Sequence, residues 1–422
     1  MSNTKNNVAW KQLFEKHNIL SKVIFNGFYE ITATEINEFR EARLMTKFDH
    51  KSQLPPIFHK NNLSILPISR GSYVIGQFET FCKFNKSEIE ILKVNFPHNL
   101  ESLDFRNITS EATAINCSYV SNILMEFTEE EELFPTVSGR MSSSTFNFGI
   151  NSNKGVFNVS VVNSQVEIDG GYEGENSLSL IEAKNYISDD FLVRQLYYPY
   201  KLWNEKINKK VRPIFLTYTN GVFHLREYEF ENSELYNSII LKRERKYSIQ
   251  EGIINNELIE KLINSTKIVK EPDIPFPQAD SFERVINLCE LLKEKVYLTK
   301  DDITLNYDFE SRQSNYYADA GRYLGLIKKY GLVFSLTKLG DLILEKPIFE
   351  RKIEFIKLIL SHSAFKKTLQ TYFTKGNIPS TEEVIEIMKS CKLYNVNEYS
   401  TYKRRASTVR SWVNWIVEQN EE

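Results

Sequence analysis

Two hydrophobic periodicities alternate along this chain, and the places where one replaces the other mark its elements. In "TSEATAINCSYVSNILMEF" the apolar residues recur at helical spacing behind a Thr-Ser start suited to capping a first turn. Residues 145–150, 155–162, 165–169 and 178–184 then read as strands, with Asn163-Ser164 as a tight turn between the second and third. Asp189-Asp190 places two acids where a helix running to about Glu205 would begin, since carboxylates favour a helix N-terminus. "RPIFLTY" and "VFHLREYEF" are two more strands, and the Asn220-Gly221 between them is a hairpin signal. Helix, strands, helix, strands is the order of a mixed sheet flanked by helices, an α/β or α+β class.

The chain on either side carries other patterns. "TATEINEFREARLM" opens with Thr and has Glu35 in its first turn, as a capped helix would. "SILPISRGSYVIGQFETF" alternates like paired strands around Gly71. "KEPDIPFPQAD" holds Pro272, Pro275 and Pro277, which favour an extended linker. Beyond it, "FERVINLCELLKE" is helical, "LTKDDITLNY" a short helix, and "SRQSNYYADAGRYLGLI" a longer helix with Ser311 as N-cap. "KKYGLVFSLTKLG" is a two-stranded hairpin, so this order predicts a winged helix-turn-helix. The last hundred or so residues are mostly helical, ending in "STYKRRASTVRSWVNWI". The 422 residues exceed one typical core. They divide into an α+β region 1–108, a sheet region 109–269, a linker 270–280 and a winged-helix and helical region 281–422.

Composition changes this picture little. Hydrophobic residues make up 41% and charged residues 26%, which is ordinary for a globular chain. The net charge of −2 argues against a surface that is basic throughout, though not against a local basic groove. Cys82, Cys117, Cys289 and Cys391 are scattered without metal-site spacing, which predicts thiols in a reducing cytoplasm. No run of apolar residues is long enough to span a membrane, and "MSNTKNNVAW" has no secretory character, so a cytoplasmic, non-membrane protein is expected.

The chemistry concentrates in "SLSLIEAKNY". Residues two apart share a face of a strand, so Leu178, Leu180, Glu182 and Lys184 lie together. The preceding strand, "QVEIDGG", ends in Asp169, and a hairpin through "GGYEGENS" would set Asp169 near Glu182. Two carboxylates side by side repel each other, and a hard divalent cation such as Mg²⁺ resolves that with oxygen ligands. A lysine beside it can stabilise charge developing on a phosphate, so the set points to phosphodiester hydrolysis. Glu167 lies on the same face as Asp169 and competes for its role.

Asp169, a gap of twelve residues, then Glu182-Ala183-Lys184 resembles the PD-(D/E)xK nuclease motif, with Ile168 where that motif has proline. The resemblance implies a restriction-endonuclease-like mixed sheet. Asp169, Glu182 and the Ala183 carbonyl would bind Mg²⁺, for which Mn²⁺ can substitute, and Lys184 would serve the attacking water. Glu111 and Gln195 fall where accessory residues of that superfamily occur. "REARLMTKFDHKSQLPPIF", "ILPISRGSYVIG", "IDGGYEGENSLSLIEAKNY" and "IPFPQADSFERV" extend the likeness to type II restriction endonucleases with a C-terminal winged helix. That family implies double-stranded DNA as substrate, a homodimer on a palindromic site, and a cognate DNA methyltransferase as genetic partner.

Local charge supplies DNA-binding candidates. From Ser311 to Gly340 there are five basic residues and one acid, with Arg312, Gln313 and Asn315 at the start of the expected recognition helix and Arg322 and Lys328 beyond it. From Phe39 to Arg70 there are six basic residues and two acids, with Lys47, Lys51 and Arg70 as candidate contacts. Arg404 and Arg405 lie in a third basic cluster. The six histidines show no zinc spacing, and no P-loop, G-x-S-x-G or dinucleotide motif is present. The expected function is a type II restriction endonuclease. Its rivals are a structure-specific repair or recombination nuclease, and a winged-helix DNA-binding regulator with an inactive nuclease-like domain.

Overall fold

Seven strands that read as mixed apolar and charged segments pair into one sheet. The computed structural model describes residues 4–85, 89–97, 99–249, 252–307 and 311–420. The strands are β1 (Ile91–Val94), β2 (Phe134–Ser142), β3 (Gln165–Glu173), β4 (Ser177–Lys184), β5 (Lys210–Thr219), β6 (Val222–Phe230) and β7 (Ile239–Ile249). Their order is β1-β7-β6-β5-β4-β3-β2. β4 runs parallel to β5, and β1 parallel to β7; the other neighbours are antiparallel. The architecture is a mixed α and β arrangement with a large mixed sheet and a helical C-terminal region.

Helices cover both faces of this sheet. On one face Leu178, Leu180 and Phe215 pack with Leu196, Tyr197 and Leu202 of helix α2 (Arg194–Asn204). On the other, Ile181, Ala183, Ile214 and Leu216 pack with Ala114, Ile115 and Cys117 of helix α1 (Glu111–Val120). All eight residues of β4 are buried, as a central strand with covered faces requires. Ser110 caps α1, accepting from the Thr113 N–H.

Gly171 permits a close crossing in this sheet. A Cβ there would stand 2.7 Å from Val137 Cβ and 2.8 Å from the Val137 carbonyl oxygen, where β2 bulges against β3. Gly171→Ala is therefore expected to destabilise the fold by about 1–3 kcal/mol through overpacking, measured by urea unfolding.

Several elements differ from expectation. Asn163 does turn the chain, with φ 52°. Yet Gly155–Val162 pairs with Thr145–Ser152 in a separate ribbon, while β3 joins the large sheet. Alternation identifies a strand but not its partner. "SGRMSSST" reads as turn and strand; most of it belongs to β2, an edge strand whose residues are mostly exposed. Asp189-Asp190 does not begin a helix. Asp190–Leu192 is a short strand paired with Phe81–Lys83, and the helix starts at Arg194. Asp190 is instead engaged by the Lys51 N–H at 3.3 Å from each carboxylate oxygen. "TATEINEFREARLM" forms two short helices, Ala33–Asn37 and Ala42–Thr46. The Thr32–Glu35 capping box opens the first, and Asn37 Oδ1 accepts from the Ala42 N–H at 2.7 Å, where the second begins.

In the C-terminal region, helix α3 (Phe282–Lys295) is followed by helices Lys300–Asn306 and Ser311–Tyr323. Strands Leu298–Thr299, Ile327–Tyr330 and Val333–Leu336 form a small sheet with Val333–Leu336 in the middle. Five further helices follow, the last being Tyr399–Val417. The proline segment packs into this region: Phe276 is buried and stacks on Phe365 at 5.6 Å, and Trp412 Nε1 donates to the Ala279 carbonyl at 2.7 Å. Among the described residues, no helix is long and apolar enough to cross a membrane.

Candidate active site

β3 and β4 part company at Asp169. Their pairing ends with Ile181 opposite Gly170, whereas β4 stays on β5 as far as Lys184 opposite Thr217. β3 meanwhile remains on β2, with Ile168 opposite Gly139. The sheet therefore opens into a fork, and Asp169 stands where it divides. Its departure would leave the Ala183 N–H without a strand partner; Asp169 Oδ2 accepts that N–H at 2.9 Å instead.

Beyond the fork, Glu182 and Lys184 project from β4 into the opening. Lys184 Nζ donates to Glu182 Oε1 at 2.5 Å and to the Ala183 carbonyl at 3.1 Å. Gln195, in the first turn of α2, donates from Nε2 to Glu182 Oε1 at 2.6 Å. Glu111, the first residue of α1, lies 3.9 Å from Lys184 Nζ. Both helices thus aim their first turns at the end of β4. Glu167 does not join this cluster; it pairs with Arg140 at 3.0 Å in an exposed position on the wall of the same cleft.

Charge at the fork is strongly perturbed. Burial pushes the Glu182 carboxyl up to about 8; Lys184 opposes this, and Asp169 and Glu111 reinforce it. Burial disfavours the Lys184 ammonium, but Glu182 and Glu111 outweigh that and hold its pKa well above the ordinary lysine range. Glu111 is also raised, by its enclosure and against the pull of Lys184. Raising Glu182 from 4.5 to about 8 means the folded state keeps a proton that the unfolded chain releases across that window. The stability it contributes is full below the lower value and is lost as pH rises through the upper one. Glu182→Gln is expected to flatten this dependence, read from urea unfolding at pH 5 and pH 8.5.

The fork opens into a cleft of about 1540 Å³. Its walls carry seven basic side chains (Arg43, Lys47, Arg70, Arg140, Lys184, Arg194, Lys295) and eight acidic ones (Glu41, Asp49, Glu111, Glu167, Asp169, Glu182, Glu294, Asp302). That balance would not hold a phosphate chain strongly without an added cation.

Three family models match the chain. They are the domains of unknown function DUF6996 over residues 7–75, DUF6997 over 76–248 and DUF7226 over 284–421. No curated protein and no solved structure matches it. The fork lies wholly in the middle segment, and all three segments contribute to the cleft walls.

Of the sequence-derived candidates, Asp169, Glu182, Ala183, Lys184, Glu111 and Gln195 meet at the fork, and Lys47 and Arg70 line the cleft. Lys51 does not line it; its backbone N–H engages Asp190. Gln313, Asn315, Arg322, Lys328, Arg404 and Arg405 also lie away from it. Arg322 pairs with Asp319 at 2.6 Å, and Arg405 donates to Gln278 at 2.8 Å within the C-terminal region. The side chain of Arg312 lies outside the described residues.

Other cleft residues carried little sequence signal. Arg140, Arg194 and Lys295 sit in ordinary helical or strand contexts, whereas Arg43 belongs to the basic cluster between Phe39 and Arg70. Tyr186 was in principle legible, because it continues the two-residue spacing of Glu182 and Lys184. Its hydroxyl meets His50 Nε2 at 2.9 Å. His50 Nδ1 faces the Asp190 carbonyl at 2.7 Å, so in the neutral ring that nitrogen donates and Nε2 accepts from Tyr186.

Among the described residues, no group of three or more His, Cys, Asp or Glu side chains gathers to hold a metal ion. The fork offers a smaller, all-oxygen set: Asp169, Glu182 and the Ala183 carbonyl. Such a set suits Mg²⁺, which commonly takes one or two carboxylates and keeps its remaining waters. Lys184 Nζ already bridges two of these oxygens, so a cationic group fits between them.

Proposed function

We propose that this chain is a Mg²⁺-dependent endonuclease for double-stranded DNA, of the type II restriction class. The reading takes the large sheet as restriction-endonuclease-like and the C-terminal three-helix, three-strand unit as a winged helix. The observation that carries it is the buried Lys184 ammonium bridging Glu182 Oε1 and the Ala183 carbonyl beside Asp169, at the floor of a cleft.

Asp169, Glu182 and the Ala183 carbonyl would hold Mg²⁺, with Gln195 steadying the Glu182 carboxylate from α2. Bound there, the ion supplies positive charge against the scissile phosphate and acidifies water. Lys184 orients the attacking water and stabilises the charge that builds on the phosphate oxygens. Glu182 would ligate only as the ionised carboxylate. The near-neutral cleft explains why such a protein would depend on the cation for phosphate binding as well as for chemistry. A two-fold symmetric target would require two copies of the chain, one for each strand.

The deciding experiment digests a mixed panel of DNA with the purified protein in Mg²⁺ and sequences the fragment ends. Discrete fragments sharing a short sequence at their ends are expected. Cleavage confined to branched or damaged DNA would indicate a structure-specific nuclease instead. Footprints without any cutting would indicate a DNA-binding regulator.

A further inference from the structure

The backbone just beyond Lys184 belongs to no regular element until Asp190. It is held by a side chain from the C-terminal region. Asn287, buried at 1% exposure on α3, donates from Nδ2 to the Asn185 carbonyl at 2.8 Å and accepts the Ile187 N–H at Oδ1 at 3.1 Å. A carbonyl can only accept and an N–H can only donate, so these partners set the orientation of the carboxamide. The same loop is gripped at two more points. Tyr186 packs edge-on to Tyr307 at 5.3 Å, and Arg284 pairs with Asp189 at 3.1 Å. A polar residue buried on an apolar helix face is costly unless its bonds are made, and Asn287 makes them to the backbone that follows the candidate catalytic lysine.

We propose that Asn287 is a positioning residue for Lys184, so that the C-terminal region forms part of the active site's support as well as any DNA contacts it makes. This rests on the nuclease reading of Lys184. The geometry itself does not: Asn185 and Ile187 lie in the segment matched over 76–248, and Asn287 in the one matched over 284–421. Loss of both bonds would free the end of β4 to shift, and an ammonium misplaced by about 1 Å costs on the order of 10²-fold in rate.

The test uses the full chain with Asn287→Ala and Asn287→Asp; the second keeps an acceptor for the Ile187 N–H but no carboxamide donor. Two readouts are taken: single-turnover cleavage of saturating DNA in Mg²⁺, and acylation of Lys184 by acetic anhydride, quantified by mass spectrometry. For Asn287→Ala, cleavage is expected to fall about 10²-fold while the DNA Kd stays within about twofold. Lys184 acylation is expected to rise about tenfold as the strand end opens locally. Asn287→Asp should lie between wild type and Asn287→Ala, and it carries the test should Asn287→Ala not fold. Unchanged Lys184 acylation in a folded variant overturns the proposal, whatever happens to cleavage. A wild-type protein that cuts no DNA, with acylation still rising in the variants, overturns the nuclease reading and supports the positioning of Lys184 by Asn287.

Discussion

Lys184→Ala is expected to slow Mg²⁺-dependent DNA cleavage by about 10²–10⁴-fold, the range for losing a positioned proton-transfer or charge-stabilising group. Asp169→Ala should lose at least as much, because it removes a metal-binding carboxylate. Neither change should prevent folding. Without Lys184, which opposes the upward push of burial, the Glu182 carboxyl holds its proton more tightly, so no charge is stranded. Without Asp169, one backbone donor at Ala183 loses its partner, which costs about 1–3 kcal/mol. Glu167→Ala, at an exposed pair with Arg140, should leave the rate unchanged. Cleavage is measured on plasmid DNA in Mg²⁺ and binding separately in Ca²⁺. Full cleavage by Asp169→Ala together with a dead Glu167→Ala would reverse the assignment of the two acids.

Arg212→Met should be the most damaging single change to stability away from the fork. Arg212 on β5 holds Glu227 of β6 through two bonds, Nε to Oε1 at 3.0 Å and Nη2 to Oε2 at 2.6 Å. Its remaining nitrogen donates to the Thr128 carbonyl, tying the end of a helix to the sheet. Glu227 is only 1% exposed, so losing the guanidinium strands a carboxylate in the core. Breaking such a pair from one side costs about 3–5 kcal/mol, whereas replacing both partners with apolar residues is often neutral. Urea unfolding of Arg212→Met and of Arg212→Met/Glu227→Leu checks this. A double variant as unstable as the single one would show that the Thr128 contact, not the stranded charge, sets the cost.

The legible parts of the sequence were those where a local rule decides the outcome. Asn220-Gly221 forms the expected turn, with φ 49° and 77°, because few other residues tolerate that backbone. The β3–β4 hairpin forms as expected and brings Asp169 to the backbone beside Glu182, but β3 does not end at Asp169: Gly170 and Gly171 pair within it and the turn comes only after Glu173. What stayed hidden depends on distant partners. β2 and β7 carry mostly exposed or half-buried side chains, and their polar sequences conceal their place in the sheet. Asp190 reads as a helix-starting acid, but its carboxylate serves the Lys51 backbone across the chain. Asn287 resembles an incidental polar residue on an apolar face, since nothing local announces the loop it holds.

The fork at Asp169 also governs which changes of length the chain can absorb. Residues 170–173 are paired with β4, and a single inserted residue there would slide β3 by one step against its neighbour. Every side chain before the insertion would then exchange faces, and Asp169 would turn away from Glu182. The same insertion in the turn at 174–176 leaves the register of β3 intact, at the cost of the Glu130 contacts to Asn176 and Ser177. Relatives of this chain should therefore keep the count of paired residues between the two carboxylates constant, and confine any change of length to that turn.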